Sequence, residues 1–126
     1  MAVVSGIAEI VADLSAGERE RLLALALRCE KAEGPDRELD AAIMRLFANS
    51  VESDDGDWWY GPHDEMPRKV PAFTASLDAA LTLVPEECGW MVMGCAAKVG
   101  RQPSRGATPA LALASAALRA RAEPQP

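Results

Sequence analysis

Histidine occurs once in this chain, at His63, and large apolar side chains are scarce. Ile, Val, Leu and Phe together number 26 in 126 residues, while alanine alone supplies 24. The core implied is thin and closely packed, built from helices that meet through small side chains. No run reaches the roughly 18 apolar residues that a membrane-spanning helix needs. No basic residue precedes the apolar stretch in Met1–Gly6, as a signal peptide would require. Cysteine is sparse and odd in number: Cys29, Cys88 and Cys95, with no CxxC and no Cys/His cluster at zinc spacing. Cys29 reads as a small core residue. Cys88 and Cys95 flank an apolar run and could face each other across a hairpin, but reduced thiols are the favoured reading. Positive charge is also short, at 13 Lys/Arg against 19 Asp/Glu for a net charge of −6. That balance argues against a general nucleic-acid or anionic-membrane binder. It is uneven, however. Residues 1–66 hold 15 acids and 6 bases, and residues 67–126 hold 4 acids and 7 bases. The exclusion therefore bears on the first half more than on the second.

What remains suits one compact domain, able to bury roughly two-thirds of its unfolded surface. Val4, Ile7, Ile10, Val11 and Leu14 fit one face of a first helix over residues 3–14. Ser15 with Glu18 forms a capping box for a second, from Ala16 to about Ala32. Leu22, Leu23, Leu25, Ala26, Leu27 and Cys29 make its apolar face, and Glu18, Arg19, Glu20, Arg21, Arg28, Glu30 and Lys31 much of its wet one. Gly34 and Pro35 stop it. Asp36 caps a helix over about 37–48, with Leu39, Ala42, Ile43, Leu46 and Phe47 at the spacing of a buried stripe. Thr74 is the expected cap of a helix carrying Leu77, Leu81 and Val84 and ending before Pro85. Two short strands, Cys88–Met93 and Cys95–Val99, should turn near Gly94, followed by a polar loop through Arg101–Gly106. Thr108 caps the last helix with Pro109 at its first position. Leu111, Ala114, Ser115 and Leu118 line one face, and Arg119 and Arg121 complement the dipole at its end.

Residues 49–73 differ in character. Pro62, Pro67 and Pro71 punctuate a segment holding Glu52, Asp54, Asp55 and Asp57 and the cluster Trp58, Trp59 and Tyr60. A segment this long either contains short extended pieces or is a surface loop that binds something. Its carboxylates, with His63, Asp64 and Glu65, offer hard ligands to a metal ion, but the spacing matches neither a calcium loop nor HExxH. A solvated acidic turn is preferred. No Ser, Cys or second His stands at motif spacing to make His63 catalytic. One aromatic of the cluster is expected to anchor the loop, leaving another to face a partner. Arg101, Arg105 and Thr108 could hold an anion at the last helix's N-terminus, against the plainer reading of a capped helix beside a basic loop. The helices on either side of Gly34 superficially suggest a helix-turn-helix, but Glu38 and Asp40 beside Arg37 and Arg45 make a poor reader of bases.

The runs Arg28–Ile43, Pro71–Leu81 continuing through Val84-Pro85-Glu86, and Ala107–Arg121, with Trp59-Tyr60 between them, resemble the phage ABA sandwich domain. The resemblance spans about residues 28–122. It implies an α+β fold, a layered α/β sandwich of four to five helices with a small antiparallel sheet or hairpin. Residues 1–33 then read as a helical extension packed on the domain, 34–122 as the domain, and 123–126 as a frayed tail. The resemblance supplies no catalytic residues and no cofactor. With the acidic and aromatic cluster it suggests a non-enzymatic phage or prophage accessory protein of the bacterial cytoplasm, binding a host or phage protein. The expected binding surface is Trp58, Trp59, Tyr60, Asp54, Asp55, Asp57, Asp64 and Glu65. No direct nucleic-acid or membrane contact is expected, and the N-terminal helices could support a homodimer. Two alternatives stay open. One is an inhibitor of host defence whose acidic loop imitates nucleic acid; the other is a small metal-dependent enzyme centred on that loop and His63.

Overall fold

The computed structural model describes residues 16–46, 50–51, 58–60 and 68–123. The expected first helix, the Ser15 cap, Phe47, His63 and all the acidic-loop residues from Glu52 to Glu65 lie outside them. Among the described residues the fold is α+β, with four helices and two three-stranded antiparallel sheets. The helices are α1 (Ala16–Lys31), α2 (Arg37–Met44), α3 (Leu77–Leu81) and α4 (Pro109–Ala122). The first sheet joins β1 (Ser50–Val51), β2 (Trp58–Tyr60) and β3 (Arg68–Lys69), with β2 in the middle. The second joins β4 (Trp90–Met93), β5 (Ala96–Val99) and β6 (Gln102–Arg105), with β5 in the middle.

Helix α4 is the centre of the molecule. Every residue from Ala110 to Leu118 is buried, as are Ala120 and Ala122. The sequence predicted one buried face; instead α1, α3 and the strands β5 and β6 enclose the helix. Seven alanines among its fourteen residues make this feasible, because small side chains let neighbours approach on every side. Thr108 caps it as expected, its hydroxyl accepting from the Leu111 N–H at 3.1 Å, with Pro109 in the first turn.

Helix α1 turns Leu22, Leu25, Ala26 and Cys29 inward, a stripe at i, i+3, i+4 and i+7. Leu23 and Leu27, placed by the sequence on the apolar face, flank that stripe and are exposed. Asp36 caps α2 as expected, accepting from the Glu38 and Leu39 N–H groups at 2.9 and 3.3 Å.

Thr74 does not cap α3. Its N–H donates to the buried Asp40 carboxylate at 2.8 Å, and its hydroxyl accepts from the Asp36 N–H at 2.8 Å. Arg37 completes the clamp, donating to Asp40 at 3.0 Å and to the Val70 carbonyl at 3.0 Å. With Thr74 engaged, Ser76 caps the helix through the Ala79 N–H. α3 is shorter than expected because Thr82, Leu83 and Val84 bond back to i−3 carbonyls, tightening the chain ahead of Pro85. Its buried contacts are therefore Ala80 and Leu83, and Leu77 is exposed.

Both hairpins of the second sheet use two-residue turns opened by a glycine with positive φ, Gly94 at 59° and Gly100 at 58°. That position suits glycine because residues bearing a Cβ are strained at positive φ, although there is room for one here. The polar segment after Gly100, expected as a loop, is strand β6. Cys88 and Cys95 stand at opposite ends of β4 rather than across a hairpin, and all three cysteines are free thiols.

Candidate functional site

The second sheet has two unlike faces, set by the alternation of its strands. Trp90 and Val92 of β4 share a face with Val99 and Ala97 of β5 and with Gln102 and Ser104 of β6. Ala97, Val99 and Ser104 are buried against α4. Beneath Ser104 lies a polar node. The Ser104 hydroxyl stands 2.7 Å from the Ser115 hydroxyl, and both reach one oxygen of Glu30, Oε2, at 3.1 and 2.6 Å. Arg119 adds its Nε and Nη2 to the same oxygen, each at 2.7 Å. Burial alone would push the Glu30 carboxyl up. The Ser115 hydroxyl, the Arg119 guanidinium and the Ser104 hydroxyl outweigh it and hold the group below its ordinary range. Glu30, assigned to the wet face of its helix, is instead the link between α1, β6 and α4.

Two hydroxyls beside a carboxylate invite a catalytic reading, but the chemistry does not follow. A carboxylate held ionised by four donors is a weak base. Ser115 is fully buried, so no substrate carbonyl can approach it. The node binds elements of the fold to one another.

The opposite face is open. Met91 and Met93 of β4, Ala96 and Lys98 of β5, and Pro103 and Arg105 of β6 project from it. No helix among the described residues covers them. Met91 is 57 % exposed and Met93 72 %, and Trp90, at the rim of the other face, is 50 % exposed. Lys98 and Arg105 supply positive charge, and no Asp or Glu occurs between Glu87 and Glu123 to offset it. The face is an apolar strip beside a basic one.

Its two edges also differ. The Gly100 N–H donates to the Gly89 carbonyl at 2.8 Å. With the register Trp90↔Val99, this sets Met91 and Met93 exchanging hydrogen bonds with β5 and turns the N–H and C=O of Trp90 and Val92 outward. At the far edge, the Gly106 N–H donates to the Cys95 carbonyl, so Pro103 and Arg105 are the outward-turned residues of β6. Pro103 has no N–H to offer there, and Arg105 is charged. Proline and charge blunt an edge strand against further pairing. β4 carries neither.

Of the residues expected to bind a partner, Trp58, Trp59 and Tyr60 form the middle strand of the first sheet, paired with Lys69 and Arg68 on one side and Val51 and Ser50 on the other. Their acidic companions Asp54, Asp55, Asp57, Asp64 and Glu65 lie outside the described residues. Of the expected anion site, the Thr108 hydroxyl is occupied in capping α4, and Arg105 leaves β6 on the face opposite Ser104. Arg101 is exposed in the β5–β6 turn. Sequence reasoning placed β4 as a strand but missed its exposure. The missing charge and proline along Trp90–Met93 were the available signal.

No helix among the described residues is long and apolar enough to cross a membrane. Comparison with protein-family models, with curated proteins and with solved structures finds no match for the chain.

Proposed function

We propose that the chain is a non-enzymatic phage or prophage accessory protein of the bacterial cytoplasm, and that it acts by binding another protein on the open face of the β4–β5–β6 sheet. The observation that carries this reading is the exposure of Met91 and Met93 beside Lys98 and Arg105 on a sheet otherwise sealed by α4. Large unbranched methionines adapt to varied apolar surfaces and are favoured where binding must be accommodating. The face has no aromatic ring on which bases could stack, and the whole chain carries a charge of −6. Both points favour a protein partner with an apolar centre and carboxylates at its rim over a nucleic acid. The resemblance of residues 28–122 to the phage ABA sandwich domain supports the phage setting.

The test is affinity capture from phage-infected bacterial cells with wild type and with the Met91→Glu/Met93→Glu variant. The expected result is a saturable partner retained by the wild type and lost by the variant. Equal recovery by both, or none by either, would sink the reading.

A further inference from the structure

We propose that β4 pairs with β4 of a second copy, antiparallel about a two-fold axis at Met91, to form one continuous six-stranded sheet.

The hydrogen-bond phase selects the register. Only Trp90 and Val92 turn their N–H and C=O outward along β4, and these groups meet no partner among the described residues. The Cys88 N–H, which would extend the row, is already bonded to the Pro85 carbonyl at 3.0 Å. An antiparallel pair exchanges bonds only where both residues present outward groups. Setting Trp90 opposite Val92 of the second copy, and Val92 opposite its Trp90, uses every free group on both strands and leaves none over. Alignments centred on Trp90 or on Val92 leave some of them unpaired. The selected register makes Met91 its own partner across the axis, in a pair that exchanges no hydrogen bonds, where side chains approach most closely. On the other face, half-exposed Trp90 covers Val92 of the second copy.

Charge permits this contact. Residues Cys88 to Ala97 contain no ionisable side chain other than the two thiols, so the seam opposes no like charges. Lys98 stands one strand in from the seam. The two copies of it are separated by three strand spacings, roughly 14 Å, which exceeds the Debye length of about 8 Å at physiological ionic strength. The β6 edge cannot form the equivalent pair, since Pro103 withholds a donor and Arg105 would approach its own copy. One edge is thus open to self-pairing and the other closed, which ends the assembly at two copies.

The area sets its strength. Trp90, Met91 and Met93 are the exposed large apolar side chains of the strand, against roughly 20–30 residues a side in a standard stable interface. The dimer is therefore weak and reversible. Pairing would bring the methionines of both copies to the middle of one face, with Lys98 and Arg105 flanking it on both sides. Self-pairing does not depend on what that face binds.

Sedimentation velocity on the full chain, from about 10 µM to 1 mM, tests the proposal. The wild type should move toward the dimer as concentration rises. Met91→Lys, which sets two ammonium groups together at the axis, should weaken association at least tenfold while keeping the circular dichroism of the wild type. Register is tested by oxidative cross-linking in a Cys88→Ser/Cys95→Ser background. Met91→Cys should form a disulfide-linked dimer readily, since directly opposed residues of this type have Cα atoms ~4.5 Å apart, within disulfide reach. Met93→Cys should not, because Met93 stands opposite Gly89 of the second copy. A wild type monomeric at every concentration, a Met91→Lys variant that associates as the wild type does, or equal cross-linking at both positions would overturn it.

Discussion

Replacing Glu30 by alanine should destabilise the domain by about 2 kcal/mol, because it removes the shared acceptor of four donors. One carboxylate oxygen takes the hydroxyls of Ser104 and Ser115 and two nitrogens of Arg119. A hydrogen bond to a charged group contributes about 1.5–3 kcal/mol. Breaking a buried ion pair from one side costs about 3–5 kcal/mol. Neither applies in full, because the Glu30 and Arg119 side chains are 26 % and 28 % exposed and water can reach both. Ser104 and Ser115 also keep each other as partners at 2.7 Å. About 2 kcal/mol survives these discounts. For a domain of this length, that lowers the melting midpoint by roughly 6–10 °C. The same node fixes a pH dependence. The folded state holds the Glu30 carboxyl below its ordinary value of 4.5. Its contribution is fully present above that pH and is lost as the pH falls toward the lowered folded value. Glu30→Gln keeps the shape and cannot titrate, so it should be less stable than the wild type at pH 7 and should show a flatter loss of stability on acidification. Urea denaturation at pH 7, 5 and 3 measures both effects. A Glu30→Ala cost under about 0.5 kcal/mol, or parallel acid limbs for wild type and Glu30→Gln, would refute the account.

Asp40→Ala should cost about 3 kcal/mol, since Asp40 is 1 % exposed and its loss strands the Thr74 N–H in the interior. Amide hydrogen exchange should show the Thr74 protection lost. Gly106→Ala should cost about 1–3 kcal/mol, because a Cβ there would stand 2.8 Å from the Ala112 nitrogen and 2.9 Å from the Leu111 Cβ, with little room to give. Thermal denaturation reads this directly. Among the thiols, exposed Cys95 should react with Ellman's reagent at once, whereas Cys29 should not react in the native state. Burial leaves Cys29 out of reach of reagent and pushes its pKa up to about 12, so almost no thiolate forms at pH 8.

The parts of the fold that were legible in the sequence are those set within a few residues. Thr108-Pro109 marks the start of α4, Asp36 the start of α2, and Gly94 the first hairpin, each through a local steric or hydrogen-bonding rule. Thr74 shows where such rules stop. Thr74 and Ser76 both satisfy the capping preference, and the choice falls to Ser76 because Asp36 and Asp40, more than 30 residues earlier, claim Thr74. β6 was illegible for a related reason. Gln102-Pro103-Ser104-Arg105 has no apolar residue at its inward positions, so no hydrophobic alternation announces a strand. Ser104 is tolerated inside only because Ser115 and Glu30 receive its hydroxyl. Glu30 itself looks like any helix-surface glutamate until Arg119, 89 residues on, meets it.

The candidate site was hidden by the ambiguity of apolar runs. Trp90-Met91-Val92-Met93 reads as a strand buried on both faces, because periodicity cannot show that only one face will be covered. The cover is α4, and α4 is a single helix enclosed by its own neighbours. It seals Ala97, Val99 and Ser104 and leaves the reverse of the sheet open. The charge pattern gains meaning from the same geometry. The basic excess of the second half is divided by α4 and β5. Arg119 is drawn to the Glu30 node and Arg121 to the Leu83 carbonyl at 2.6 Å, while Lys98 and Arg105 remain on the open face. A chain with a net charge of −6 thus presents, on one side, a small surface that is apolar and positive. Core packing does not require the methionines there, since α4 is already surrounded. An exposed Met91 and Met93 on an edge strand without proline or charge is a hazard that folded proteins ordinarily suppress, as β6 does with Pro103 and Arg105. That one edge is protected and the other is not, within a single twelve-residue sheet, is the strongest reason to read β4 as a surface made for contact.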